Sequence, residues 1–107
     1  MATPEGKIQL EIMRHLRKRG LLFWRFSPET YNVARGFHYK HEYIPSGLPD
    51  IMVLTKEGFI GLEVKTPKGR PSADQLLMQK RFRRLGAEYH VVKSVADVDI
   101  VIPTSRG

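Results

Sequence analysis

The sequence predicts an α/β fold in a single domain, residues 1–107, on three observations. A capped helix with apolar residues at helical spacing opens the chain. Two apolar strand segments joined by a tight turn occupy its middle. A second capped helix then leads into a further strand. The length of 107 residues suits one domain of the usual size of roughly 100–200 residues, and 41% hydrophobic with 27% charged residues is a globular composition.

Thr3 caps the first helix with Pro4 at its first position, and Gly20 stops it after Lys18 or Arg19. Ile8, Ile12, Met13 and Leu16 share a stripe, into which Glu5 and Gln9 also project, so a carboxylate is aimed inward at the helix start. Glu11 lies at the edge of that stripe and reads as solvated. Leu21 to Phe26, rich in large apolar and aromatic residues, predicts a strand. Ser27 to Pro49 holds four of the chain's prolines and glycines before Pro49 itself and no sustained period, and reads as a long functional loop. Asp50 to Leu54 and Phe59 to Lys65 predict a hairpin turning through Lys56-Glu57-Gly58. Pro67 to Pro71 is a second loop, after which Ser72 caps a helix that ends at Gly86 with Leu76, Leu77, Phe82 and Leu85 as its apolar positions. Ala87 to Val92 is the last strand. Ser94 with Asp97 predicts a capped short helix, although Asp99 to Ile102 would serve equally as an extended tail.

Composition narrows the chemistry. With no cysteine, disulfides, thiolate metal sites and thiol nucleophiles are excluded, so any metal sits on oxygen or imidazole. His38 and His41 fall in a loop without helical signal, and His15 and His90 add no third ligand at useful spacing, so zinc is not favoured. No apolar run approaches the ~20 residues of a membrane span, and the N-terminus lacks a secretory h-region. The expectation is an intracellular, cytoplasmic protein without a membrane partner. Lysine and arginine total 18 against 11 acids, a net charge of +7, which points to a polyanionic partner, nucleic acid first.

Strand alternation puts Ile60, Leu62 and Val64 on one face and Gly61, Glu63 and Lys65 on the other. If the hairpin loop takes Thr55 to Gly58, Leu54 pairs with Phe59 and Asp50 lies opposite Glu63; a three-residue loop moves its partner only to Val64. Directly opposed Cβ atoms are about 4.5–5.5 Å apart, so the two carboxylates repel unless one takes a proton, a lysine sits between them or a divalent cation does. Two carboxylates with waters and phosphate oxygens are the usual surroundings of Mg²⁺, and Glu5 would add a third acid. Such an ion polarises a phosphoryl oxygen and activates water, with Lys65 offsetting charge or orienting the nucleophile. Taken alone, Asp50 is a strand-entry cap and Glu63 with Lys65 an exposed ion pair worth about 0–1 kcal/mol.

The larger pattern changes that balance. Gly47-Leu48-Pro49-Asp50, then Glu63-Val64-Lys65 with Thr66-Pro67-Lys68-Gly69, then Ser72-Ala73-Asp74-Gln75 resembles the VRR-NUC branch of the PD-(D/E)XK nuclease superfamily. The resemblance runs back to Glu5-Gly6-Lys7-Ile8-Gln9 and forward to Lys93-Ser94-Val95-Ala96-Asp97-Val98. An E-x-K alone is weak, but the ordered set between these elements is specific. It implies a restriction-endonuclease-like α-β-β-β-α-β core with a mixed central sheet flanked by helices. It also implies Mg²⁺ or Mn²⁺ held by Asp50, Glu63, the Val64 main-chain carbonyl and Glu5, for which Glu11 is the alternative. Lys65 matches the catalytic lysine, and Gln75 a glutamine that helps position the site.

The expected activity is therefore a metal-dependent, structure-specific endodeoxyribonuclease needing no small-molecule cofactor. Small stand-alone members of the family, often from phages, resemble dimeric Holliday-junction resolvases, so a bacterial or phage homodimer acting on branched DNA is the leading reading. The alternatives are a non-catalytic or partner-dependent DNA-binding module and a flap or nicking nuclease of the same fold. Candidate DNA contacts are Lys68, Arg70, Lys80 and Arg84, with Arg35 and Lys40 in the aromatic loop, where Tyr31, Phe37, Tyr39 and Tyr43 suit stacking on unpaired bases or packing of a dimer interface.

Overall fold

The computed structural model describes residues 3–26 and 43–104. Most of the long loop, including Arg35, His38, Lys40 and His41, lies outside the described residues. The first helix, α1 (Pro4–Lys18), starts where Thr3 Oγ1 accepts a hydrogen bond from Gly6 N at 2.9 Å, satisfying a donor that helical geometry leaves free. Gly20, at φ +73°, ends the helix and turns the chain into β1 (Leu22–Arg25). Strands β2 (Ile51–Thr55) and β3 (Gly58–Val64) form the hairpin. Leu54 pairs with Phe59 as in the longer-loop alternative, and Thr55 with Gly58, leaving Lys56-Glu57 as the connection.

The helix α2 (Ala73–Arg84) follows, then β4 (Glu88–Val92) and α3 (Val95–Val101). The sheet order is β1-β2-β3-β4. The first three strands are antiparallel neighbours and β4 lies parallel to β3, so the sheet is mixed. Parallel neighbours need a crossover connection, and α2 supplies it.

One face of the sheet builds the main core. Ile51, Val53, Ile60, Leu62, Val64 and Val92 pack with Ile12 and Leu16 of α1 and with Val98 and Ile102; alternation had predicted Ile60, Leu62 and Val64 among them. The opposite face receives α2 over β3 and β4. Here the apolar set differs from expectation: Leu76, Leu77 and Leu85 are exposed, and the helix buries Met78 instead. Phe82, one turn on, meets Tyr89 edge to face at 5.3 Å. Helical spacing offers more than one stripe when leucines crowd one helix, and the shape of the sheet surface selects among them.

The C-terminal segment is helical rather than extended. Ser94 Oγ accepts from Asp97 N at 3.1 Å, but Asp97 Oδ2 reaches past the cap to Lys93 N at 2.9 Å, so the reciprocal bond forms one residue earlier than in the usual box. Asp99 Oδ1 then accepts from Arg19 Nη1 at 2.9 Å and pairs with His15 Nε2 at 2.7 Å, tying α3 to the end of α1. No helix among the described residues is long and apolar enough to cross a membrane.

Candidate active site

Continuing the β2–β3 register by one pair, from Ile51 opposite Leu62, sets Asp50 opposite Glu63. Asp50 Oδ2 accepts the Val64 backbone N–H at 2.9 Å, which fixes the carboxylate at the mouth of the hairpin. Glu5, on the first turn of α1, completes a group: one oxygen each from Glu5, Asp50 and Glu63 lies within 4.8 Å of the other two. Glu11 is exposed and has no place in it. Beside the acids, Lys65 Nζ stands 3.3 Å from Glu63 Oε2.

Glu63 is 2% exposed, and its Oε1 has no hydrogen-bond partner among the described residues. An unpartnered carboxylate oxygen in the interior carries its full desolvation cost. Burial first, and the Asp50 charge second, push the Glu63 carboxyl up to about 7, against the opposing pull of Lys65. The acid is therefore poorly compensated by its protein surroundings. A hard divalent cation bound by oxygen would compensate all three carboxylates at once, so the donor set fits Mg²⁺ or Mn²⁺.

The loop that delivers Asp50 is braced at three points. Gly47 has φ +89°, and a Cβ there would collide with the main chain of Asp74 and Gln75 at the start of α2. Only glycine combines that backbone conformation with so close an approach. The Gly47 carbonyl accepts from the Tyr89 hydroxyl at 2.9 Å. Pro49 is buried against Gly61, where a Cβ would run into the proline ring. The Gly-Leu-Pro-Asp segment is thus clamped between α2, β3 and β4 before Asp50 emerges. Tyr89 keeps its proton above the ordinary phenol range, through burial and then the charges of Glu63 and Asp50, and so remains a donor.

Gln75 closes the α2 capping box: its Oε1 accepts from Ser72 N at 2.8 Å, while Gln75 N donates to Ser72 Oγ at 3.2 Å. Its observed work is at the helix start, which is also what Gly47 rests on. Lys68, Arg70, Lys80 and Arg84 are exposed, whereas Arg35 and Lys40 lie outside the described residues. Sequence reasoning missed Tyr89 and also Lys93, whose Nζ donates to the Pro67 carbonyl at 2.9 Å and steadies the loop after Lys65. Alternation in β4 puts Tyr89 on one face with Val91, but only the parallel register, Gly61 with Tyr89, shows that this is the face of Glu63.

A mixed sheet between helices, with acids from the first helix and the hairpin converging beside a lysine, defines a restriction-endonuclease-like α/β fold. Among solved structures the chain is similar to a VRR_NUC domain, with 31% identity, a TM-score of 0.69, and 94% of this chain and 96% of that one covered. It is also similar to a VRR_NUC domain protein at 17% identity and TM-score 0.70, covering 95% and 87% of the two chains, a likeness of fold alone. Neither a family sequence model nor a curated protein matches it. The chain belongs to the VRR-NUC family, and its fold is that of a nuclease of the PD-(D/E)XK type with DNA as the implied substrate.

Proposed function

We propose that residues 1–107 act as one metal-dependent, structure-specific endodeoxyribonuclease domain that hydrolyses phosphodiester bonds in branched DNA, as a homodimeric Holliday-junction resolvase. The observation that supports this best is the convergence of Glu5, Asp50 and Glu63 within 4.8 Å around a buried Glu63 oxygen that has no partner. Those three side chains and the Val64 carbonyl would hold Mg²⁺ or Mn²⁺. When bound, the ion supplies Lewis acidity toward a phosphoryl oxygen and makes water more acidic.

The chain's own residues do the rest. Asp50, held by the Val64 N–H, and Glu63, held in the sheet, fix the position of negative charge in the site. Lys65 places an ammonium group where charge grows on the phosphate, and orients the attacking water. Gln75 acts from the start of α2 as a positioning residue. Lys68 and Arg70, directly after the lysine, with Lys80, Arg84, Arg35 and Lys40, bind phosphates on either side. A four-way junction has two-fold symmetry and needs two cuts, and the described residues of one chain hold one such carboxylate group, so a C2 dimer supplies the second. In this reading the protein works inside the cell, in the cytoplasm, and is bacterial or phage-encoded.

The test is incubation of the chain with labelled four-way junction, flap and linear duplex DNA in Mg²⁺, Mn²⁺ or EDTA. Junction cleavage that requires metal is the expected result. Cleavage confined to flaps or single nicks would replace the resolvase assignment with a flap or nicking nuclease. Binding without cleavage in either metal would make the chain a DNA-binding or partner-dependent module.

A further inference from the structure

Among the described residues, α2 covers the sheet face that carries Glu63 over β3 and β4, and none covers it over β1 and β2. Leu22 and Trp24 of β1, Leu54 of β2 and Phe59 of β3 are 60%, 41%, 38% and 45% exposed. The register makes them neighbours, because Leu22 pairs with Leu54 and Leu54 with Phe59. Trp24 meets Phe59 edge to face, with ring centroids 6.2 Å apart and planes at 84°. The two rings do not stack on each other, which leaves flat aromatic surface for another partner. Apolar residues scattered singly on a surface need no explanation, but a contiguous cluster marks a contact site.

Two observations select the occupant. First, α2 passes through Gly86 into β4, whose residue Glu88 pairs with Ile60. The last turn of α2, with exposed Arg81, Arg83 and Arg84, therefore ends near the Phe59 end of the sheet. Second, the apolar cluster is continuous with the carboxylate site. Trp24 pairs with Met52, and Met52 with Gly61, two residues before Glu63 on the same face. Ordinary strand spacing and rise put the Trp24 and Glu63 Cα atoms about 12 Å apart. An aromatic pair on the same sheet as the arginine-bearing end of α2, on a chain of net charge +7, matches a nucleobase on a polyanionic strand.

We propose that Trp24 and Phe59 form a stacking platform for an unpaired base near the scissile phosphate, so that strands with unpaired nucleotides are preferred over continuous duplex. This rests on the nuclease reading and specifies the substrate class of that site; in a four-way junction, whose arms are fully paired, the base comes from a pair opened at the crossover. Within a duplex each base is stacked on both faces by its neighbours; an unpaired base offers a face to an aromatic side chain.

Trp24 is the only tryptophan in the chain, so its emission reports on the platform directly. The full chain in EDTA is titrated with a short oligothymidylate and with a linear duplex of equal length, and binding is followed separately by the anisotropy of labelled DNA. At saturation the unpaired strand quenches Trp24 emission and the duplex leaves it near its starting value. Trp24→Ala weakens binding of the oligothymidylate by about five-fold or more, as expected for loss of one base stack, and leaves duplex binding within about two-fold on the same grounds. Trp24→Phe, which keeps a flat ring, retains most of the affinity.

Unchanged emission at saturating oligothymidylate overturns the proposal, as does a folded Trp24→Ala variant that binds the strand as tightly as the unaltered chain. An emission shift that follows protein concentration without DNA also overturns it and assigns the face to a second copy. If Trp24→Ala does not fold, the emission of the unaltered chain decides alone. Quenching in a chain that cuts no DNA in Mg²⁺ or Mn²⁺ sinks the nuclease reading and leaves the platform. Cleavage by a chain whose emission is insensitive to unpaired DNA sinks only the platform.

Discussion

Glu63 concentrates the chemistry of the site in one side chain. Its carboxyl, pushed up to about 7 from 4.5, binds a proton more tightly in the folded chain than in the unfolded one. Its contribution to metal-free stability is therefore fully present below pH 4.5 and is lost as pH rises through about 7. Melting in EDTA should show this loss, and Glu63→Gln, which cannot ionise, should flatten it. Added Mg²⁺ should raise Tm more at pH 8 than at pH 5, because it binds the ionised form; equal shifts at both pH values would place the ion elsewhere. Asp50→Ala and Lys65→Ala should each abolish junction cleavage while leaving binding measurable by gel shift, since the flanking phosphates are held by other residues.

At the scale of elements, the site depends on how the Gly47–Asp50 segment is clamped. Tyr89→Phe leaves the Gly47 carbonyl without its donor and should cost about 1 kcal/mol in chemical denaturation, with a fall in cleavage rate but no change in the metal that supports it. Ser72→Ala removes an N-cap, a loss of about 1 kcal/mol. The link between α1 and α3 has its own pH signature. The hydrogen bond from His15 holds the Asp99 carboxyl below the usual carboxylate range, with Arg19 adding to it. Its contribution is present above the ordinary carboxylate pKa and is lost as pH falls through the lowered value. Asp99→Asn should thus lower Tm at neutral pH and leave the acid limb less steep.

At the scale of the whole molecule, charge governs encounter with DNA. Several exposed cations acting together make binding fall steeply with salt. Replacing Lys68 and Arg70 by alanine should reduce the slope of log affinity against log salt by about two, measured by anisotropy on one junction. The proposed homodimer makes a hydrodynamic prediction: sedimentation of the chain with a four-way junction should give two chains per junction. A monomer, both free and bound, would remove the resolvase assignment and leave the fold untouched.

Much of this was legible in the amino-acid order because local rules act on short stretches. Thr3 and Ser72 announce their helices through side-chain capping, Lys56-Glu57-Gly58 marks the hairpin, and alternation divides Ile60, Leu62 and Val64 from Glu63. Turn length narrowed the partner of Asp50 to Glu63 or Val64, since antiparallel register propagates from the turn, and the observed pairing of Leu54 with Phe59 selects Glu63. Tertiary packing decided what no local rule reaches. It set Glu5, which the helical stripe had already aimed inward, within reach of Asp50 and Glu63, and buried Met78 rather than Leu76 or Leu77. It brought Tyr89 beneath Gly47 through the parallel β3–β4 register, which depends on a crossover and not on a turn. Burial of Glu63 belongs to the same group: the strand pattern sets which way it points, but only packing from α2 and the Gly47–Asp50 segment removes the water that would have stabilised its charge.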